Sequence, residues 1–178
     1  MSQRSGESPE VAGFVELAEQ YCDLISSRDA YPARDFVKRI HLLLAAVYAA
    51  GVRLPQVAPE TSQAAAEGKG SERWSDLYKS LSSKLGARDH YLEMFAPYDF
   101  TETQSVTGSL ADDLADIYAD LMRGLTAWRE GRLKDAVWEW QFHLEHHWGE
   151  HATGALRALH ALGAQFDYEE PTFDERAV

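Results

Sequence analysis

From Leu110 to Trp128, apolar side chains recur at every third or fourth position: Leu110, Leu114, Ile117, Leu121, Leu125 and Trp128. An α-helix gathers such positions onto one face, and that face must be covered by another element. The same spacing runs through the rest of the chain. Ser8-Pro9-Glu10 offers a capping hydroxyl, a proline for the first turn and an acid at the positive helix end. Phe14, Leu17, Tyr21, Leu24 and Ile25 follow at helical spacing. A second helix is expected over about 33–50, carrying Phe36, Val37, Ile40, Leu43, Leu44, Val47 and Tyr48 until Gly51 and Pro55 stop it. A third is expected over about 71–85 on Trp74, Leu77, Tyr78, Leu81 and Leu85, ended by Gly86.

Residues 89–95 read as an extra helical turn and 98–108 as a loop. Ser109 caps the helix 109–129, with Asp112 in a shortened capping box. Glu130-Gly131 then reverses the chain into a last helix over 133–162, in which Gly149 and Gly154 are the weak points. No strand is expected. The fold class is therefore all-α: a single-domain helical bundle of about five main helices, closed by a long antiparallel C-terminal pair. The expected organisation is a flexible N-terminus 1–8, a helical domain 9–163 with a surface loop at 52–70, and an acidic tail 164–178.

The net charge of −12 disfavours nucleic acid and anionic lipid as direct partners. A lone cysteine, Cys22, excludes a disulfide framework and a cysteine-rich zinc site, and beside Tyr21 it reads as a buried, inert thiol. Residues 1–8 hold no apolar signal core. The greasy stretch Leu42–Ala50 falls short of the ~20 residues that span a bilayer. A soluble cytoplasmic protein with no membrane segment is expected.

Chemistry concentrates near the C-terminus. Four histidines, His143, His146, His147 and His151, crowd into nine residues, downstream of Asp112, Asp113, Asp116 and Asp120. On a helical wheel His147 and His151 fall within the apolar stripe of the last helix, His143 at its edge, and His146 outside it. Asp113 and Asp120 flank the stripe of the preceding helix, Asp116 lies slightly further out, and Asp112 faces away. Antiparallel packing would set Asp116 and Asp120 nearer His143 than His151.

Neutral imidazole and carboxylate are ligands for zinc, manganese or iron. Candidate metal ligands are thus Asp113, Asp116, Asp120, His143, His147 and His151. Asp116 and His147 are also candidates for an acid–base pair, because a carboxylate on an imidazole fixes its tautomer and raises its basicity. The plainer alternatives are Asp112 as a cap, Asp120 paired with Arg123 on a solvated face, and histidines that donate to nearby carboxylates. Asp112-Asp113-x-x-Asp116 matches the magnesium motif of isoprenoid synthases, but the chain is short for that fold and no second motif follows. The acid blocks of all-helical nucleotide pyrophosphohydrolases, the zincin pattern, the phosphate loop and the G-x-S-x-G elbow are missing. Trp74, Trp128 and Trp140 read as core. Trp138 lies off the stripe and is a candidate for a partner or homodimer surface.

The runs LADDLADIYADLMRGL and VWEWQFHLEHHWGEHATGALRALHAL resemble a family of small bacterial helical proteins known as a domain of unknown function. The motifs L-x-D-D-L-x-D-I-Y-x-D-L and H-W-G-x-H-A fall at Leu110–Leu121 and His147–Ala152. Weaker echoes lie at Tyr21-Cys22 and Tyr91-x-x-x-Phe95-x-Pro97. The resemblance implies a helical fold over most of the chain and implies no activity. Three readings follow: an interaction or regulatory module, a divalent-metal-dependent hydrolase or other acid–base site between helices 109–129 and 133–162, and a pH-responsive histidine cluster.

Overall fold

The protein is described by a computed structural model covering residues 8–61, 72–94, 98–101 and 104–168. Helix α1 (Pro9–Ser26) starts where the sequence places it, and the Ser8 hydroxyl accepts from the Val11 amide at 3.3 Å. A short 3₁₀ turn (Arg28–Ala30) leads into α2 (Ala33–Gly51). Helix α3 spans Glu72–Leu85, and α4 spans Leu110–Arg129. The Ser109 hydroxyl caps α4 by accepting from the Asp112 amide at 3.2 Å. At the following reversal Gly131 takes a φ of +83°, a left-handed conformation that other residues resist.

Helix α4 is the hub, because α1, α3, α5 and α6 all pack against it. Its stripe Leu110, Leu114, Ile117, Leu121 and Leu125 is fully buried. Across it stand Phe14, Trp140 and Trp148, with Phe14 and Trp140 centroids 4.9 Å apart. Burying side chains of this size is worth roughly 1.5–3 kcal/mol each. The indoles also need partners. Trp140 donates to the Leu121 carbonyl at 3.1 Å, and Trp148 to the Trp140 carbonyl at 3.0 Å. The Tyr21 hydroxyl donates to the Leu114 carbonyl at 3.1 Å. Cys22 is buried as expected, and that burial pushes its thiol pKa well up.

Three expectations are corrected. A small antiparallel hairpin exists: β1 (His90–Glu93) pairs with β2 (Val106–Ser109) in the register His90↔Ser109 to Glu93↔Val106. It replaces the helical turn expected at 89–95 and the end of the loop expected at 98–108. Leu92 (69% exposed) and Val106 (43% exposed) show why no apolar alternation marks it. The hairpin is anchored instead by Asp89, whose buried carboxylate accepts from Ser82, Ser109 and the Ala111 amide while its carbonyl accepts from the Leu110 amide.

The helix expected over 133–162 is two helices, α5 (Leu133–His146) and α6 (Trp148–Tyr168), so the expected helical single domain holds six α-helices among the described residues. The break falls at His147, with φ −152° and ψ −81°. Gly149 makes it sterically possible: a Cβ there would lie 2.1 Å from the Leu144 carbonyl oxygen. Helix α6 also runs through Gly163 to Tyr168, past the expected start of the tail. The expectations for residues 1–7, 62–70 and 169–178, and the Phe95 and Pro97 part of the echo, lie outside the described residues. No helix among the described residues is long and apolar enough to cross a membrane.

Candidate functional site

Asp113, Asp116 and Asp120 sit on successive turns of α4, and all three are buried. Asp116, expected furthest out, is the most buried at 1% exposure. The reason is tertiary: α3 and α6 both pack on α4 and cover the flanks that an isolated wheel leaves to solvent.

Each outer aspartate holds one imidazole. Asp120 Oδ2 lies 2.6 Å from His147 Nδ1, and Asp113 Oδ1 lies 2.8 Å from His151 Nδ1. An ionised carboxylate can only accept, so each ring places a proton on Nδ1, and in its neutral form the Nε2 lone pair is then available to a ligand. Both Nε2 atoms face the middle aspartate. Asp116 Oδ2 is 3.4 Å from His151 Nε2 and 3.9 Å from His147 Nε2. One ligand atom from each of Asp116, His147 and His151 fits within 4.8 Å of the others. Ligands bound at ~2 Å with tetrahedral angles are about 3.3 Å apart, so a small closure brings these atoms to coordinating distance. This Asp/His group can hold a metal ion.

His143 does not join them. Its Nδ1 lies 2.9 Å from the Glu139 carbonyl and 3.3 Å from Glu139 Oε2, and its Nε2 takes a hydrogen bond from Arg123 at 3.2 Å. The expectation that Asp116 lies nearer His143 than His151 is therefore corrected: Asp116 Oδ2 is 3.4 Å from His151 Nε2, whereas the His143 ring is engaged by Glu139 and Arg123. The break after α5 carries His147 and His151 over those acids, while His143 remains on α5 before it. The Asp120–Arg123 pair exists at 3.8 Å, but at a buried carboxylate and not on a solvated face. His146 is exposed, as read from the wheel.

Two further residues reach the site. The Trp74 indole donates to Asp116 Oδ1 at 2.7 Å, and the Tyr91 hydroxyl donates to Asp113 Oδ2 at 2.7 Å. Trp74 reads as core in the sequence and Tyr91 as a motif echo, since nothing local says that an N–H or O–H will meet a carboxylate from another element. Beside His151, a cavity of about 200 Å³ is lined by Tyr91, Glu93, Ser109, Asp112, Asp113 and Glu150 among others. His151 also lines it, whereas Asp116 and His147 are not among its lining residues.

Three carboxylates under one patch create an electrostatic demand. Arg123 offsets part of it beside Asp120. Burial raises the Asp113 pKa, against the lowering effect of the His151 and Tyr91 hydrogen bonds. Burial disfavours the His151 cation, but the Asp113 hydrogen bond and the charges of Asp113, Asp116 and Asp112 prevail and raise its pKa. Such a site favours added positive charge, as protons or as a metal cation.

The chain belongs to the family described as Domain of unknown function (DUF5063), whose model matches residues 5–165. The crystal structure of protein BF1032 from Bacteroides fragilis shares the fold, with a TM-score of 0.75 at 22% identity over 93% of this chain and 97% of that one. No curated protein matches.

Proposed function

We propose that this protein binds a divalent transition-metal ion through Asp116 Oδ2 and the Nε2 atoms of His147 and His151. The observation that carries the reading is the convergence of these three atoms while both Nδ1 positions are engaged by buried aspartates. Imidazoles backed by carboxylates in this way are the common arrangement around protein-bound zinc and iron. Asp113 and Asp120 then orient ligands, and His143 takes no part. His147 remains 38% exposed, which gives solvent access to the remaining coordination position. Bound there, zinc, manganese or iron would supply Lewis acidity and an activated water, the chemistry of a metal-dependent hydrolase. Asp116 and His147 serve as ligands under this reading and not as a free acid–base pair.

The test is elemental analysis of untagged protein prepared without chelators, beside a His147→Ala/His151→Ala variant. Near-stoichiometric metal in the parent and its loss in the variant is the expected result. Metal-free parent that also fails to take up zinc, manganese or iron on titration would overturn the proposal.

A second reading, an interaction module, rests on the outer face of α5. Trp138 stacks on Phe142 at 4.9 Å, and Phe142 stacks on His146 at 4.6 Å, with Phe142 39% exposed. Such an aromatic ladder suits a protein partner or a second copy of the chain. Sedimentation across a concentration series, with Trp138→Ala alongside, checks the homodimer. A monomer throughout removes it.

A further inference from the structure

We propose that Trp74 sets how Asp116 binds the metal, and through it which metal the site prefers; this rests on the metal reading above. Trp74 lies in the first turn of α3, and its indole lies flat on Tyr78 one turn later, with centroids 5.5 Å apart and planes 2° apart. The stack holds the ring so that Nε1 donates to Asp116 Oδ1 at 2.7 Å. An indole N–H is a donor only, so it satisfies one carboxylate oxygen without competing for the metal. The other oxygen, Oδ2, is the one that faces both imidazoles.

A carboxylate with one oxygen tied in this way coordinates through the other alone. Two imidazoles and one monodentate carboxylate make three protein ligands, the set of a four-coordinate zinc site with one open position. Without the Trp74 N–H, Oδ1 loses a donor, and Asp116 turns more readily to chelate with both oxygens. That raises the coordination number and moves the site toward the oxygen-rich, octahedral surroundings that suit manganese. Trp74 is thus a positioning residue that touches no metal, and α3 contributes to the site through this hydrogen bond.

Trp74→Phe removes the N–H and keeps the aromatic stack, so it isolates the hydrogen bond. Cobalt(II) is the probe, because its visible bands are intense in four-coordinate sites and weak in six-coordinate ones. The parent is expected to give intense bands, and Trp74→Phe weaker ones. The zinc-over-manganese affinity ratio should fall about tenfold or more, the scale seen when a partner of a metal ligand is lost. Circular dichroism and the unfolding midpoint establish that the variant is folded. Tyr78→Leu, which loosens the stack but keeps the N–H, should shift the bands the same way by less, and it decides the matter should Trp74→Phe not fold. Bands and ratio unchanged in the folded variants would overturn this proposal alone. A parent that binds neither cobalt nor zinc would overturn it together with the metal reading.

Discussion

His147, at the break between α5 and α6, meets Asp120 of α4, with Nδ1 2.6 Å from the buried Oδ2. The contact decides which ring nitrogen is free and holds a partly exposed imidazole in place. Asp120→Asn keeps the size of the side chain and loses the charge. Its metal affinity should fall about 10- to 100-fold, read by competition with a chromophoric chelator. Parent-like affinity would remove Asp120 from the site.

His143 is the control within the histidine cluster. Its ring bonds to Glu139 and Arg123, away from Asp116. His143→Ala should therefore retain the parent's metal stoichiometry in elemental analysis. Loss of metal, with the fold intact, would show that the site reaches further along α5 than the three converging residues.

Gly149 carries the geometry of the break. Its absent Cβ would stand 2.1 Å from the Leu144 carbonyl oxygen, a backbone atom with little freedom to move. Gly149→Ala should cost about 1–3 kcal/mol in urea unfolding, as overpacking does. It should also weaken metal binding, because His147 and His151 lie within two residues on either side. Gly163→Ala is the comparison. Apart from its chain neighbours and its own helix backbone, no described atom lies within 4 Å of its Cβ position, and helical alanine is favoured over glycine by roughly 0.5–1 kcal/mol. Equal effects at the two positions would sink the steric account of the break.

Asp135 gives the acid limb of stability. Its carboxylate accepts from the Thr61 hydroxyl at 2.7 Å and from the Glu60 and Thr61 amides at 2.7 and 3.1 Å. The Thr61 hydroxyl, against a smaller opposing effect of burial, leads the lowering of its pKa to about 2. An unfolded aspartate titrates near 3.9, so the folded form holds its proton less tightly. The stabilisation is therefore present above about pH 4 and is lost as pH falls toward 2. Unfolding free energies measured from pH 5 to pH 2 should converge for the parent and Asp135→Asn as acid is added. A gap that stays constant over that range would rule out this carboxylate as the source.

The sequence by itself determined the first four helices and where they begin and end. A 3.6-residue period, a capping hydroxyl at Ser8 or Ser109 and a left-handed glycine at position 131 act between residues a turn apart, so they can be read without knowing the neighbours. It also drew attention to the acids and imidazoles, since a buried acid or imidazole on an apolar stripe needs a partner wherever the stripe goes. The hairpin was invisible, because backbone pairing and the Asp89 carboxylate hold it while Leu92 points to solvent. Tertiary structure alone decided which of the six candidates converge. Helix rotation and register depend on how Trp140 and Trp148 fill the core and on how closely Leu144 approaches Gly149. The resulting break swings His147 and His151 over Asp116 and leaves His143 behind. Trp74 and Tyr91 reach the aspartates from elements far along the chain, and contacts of that kind leave no periodic trace in sequence.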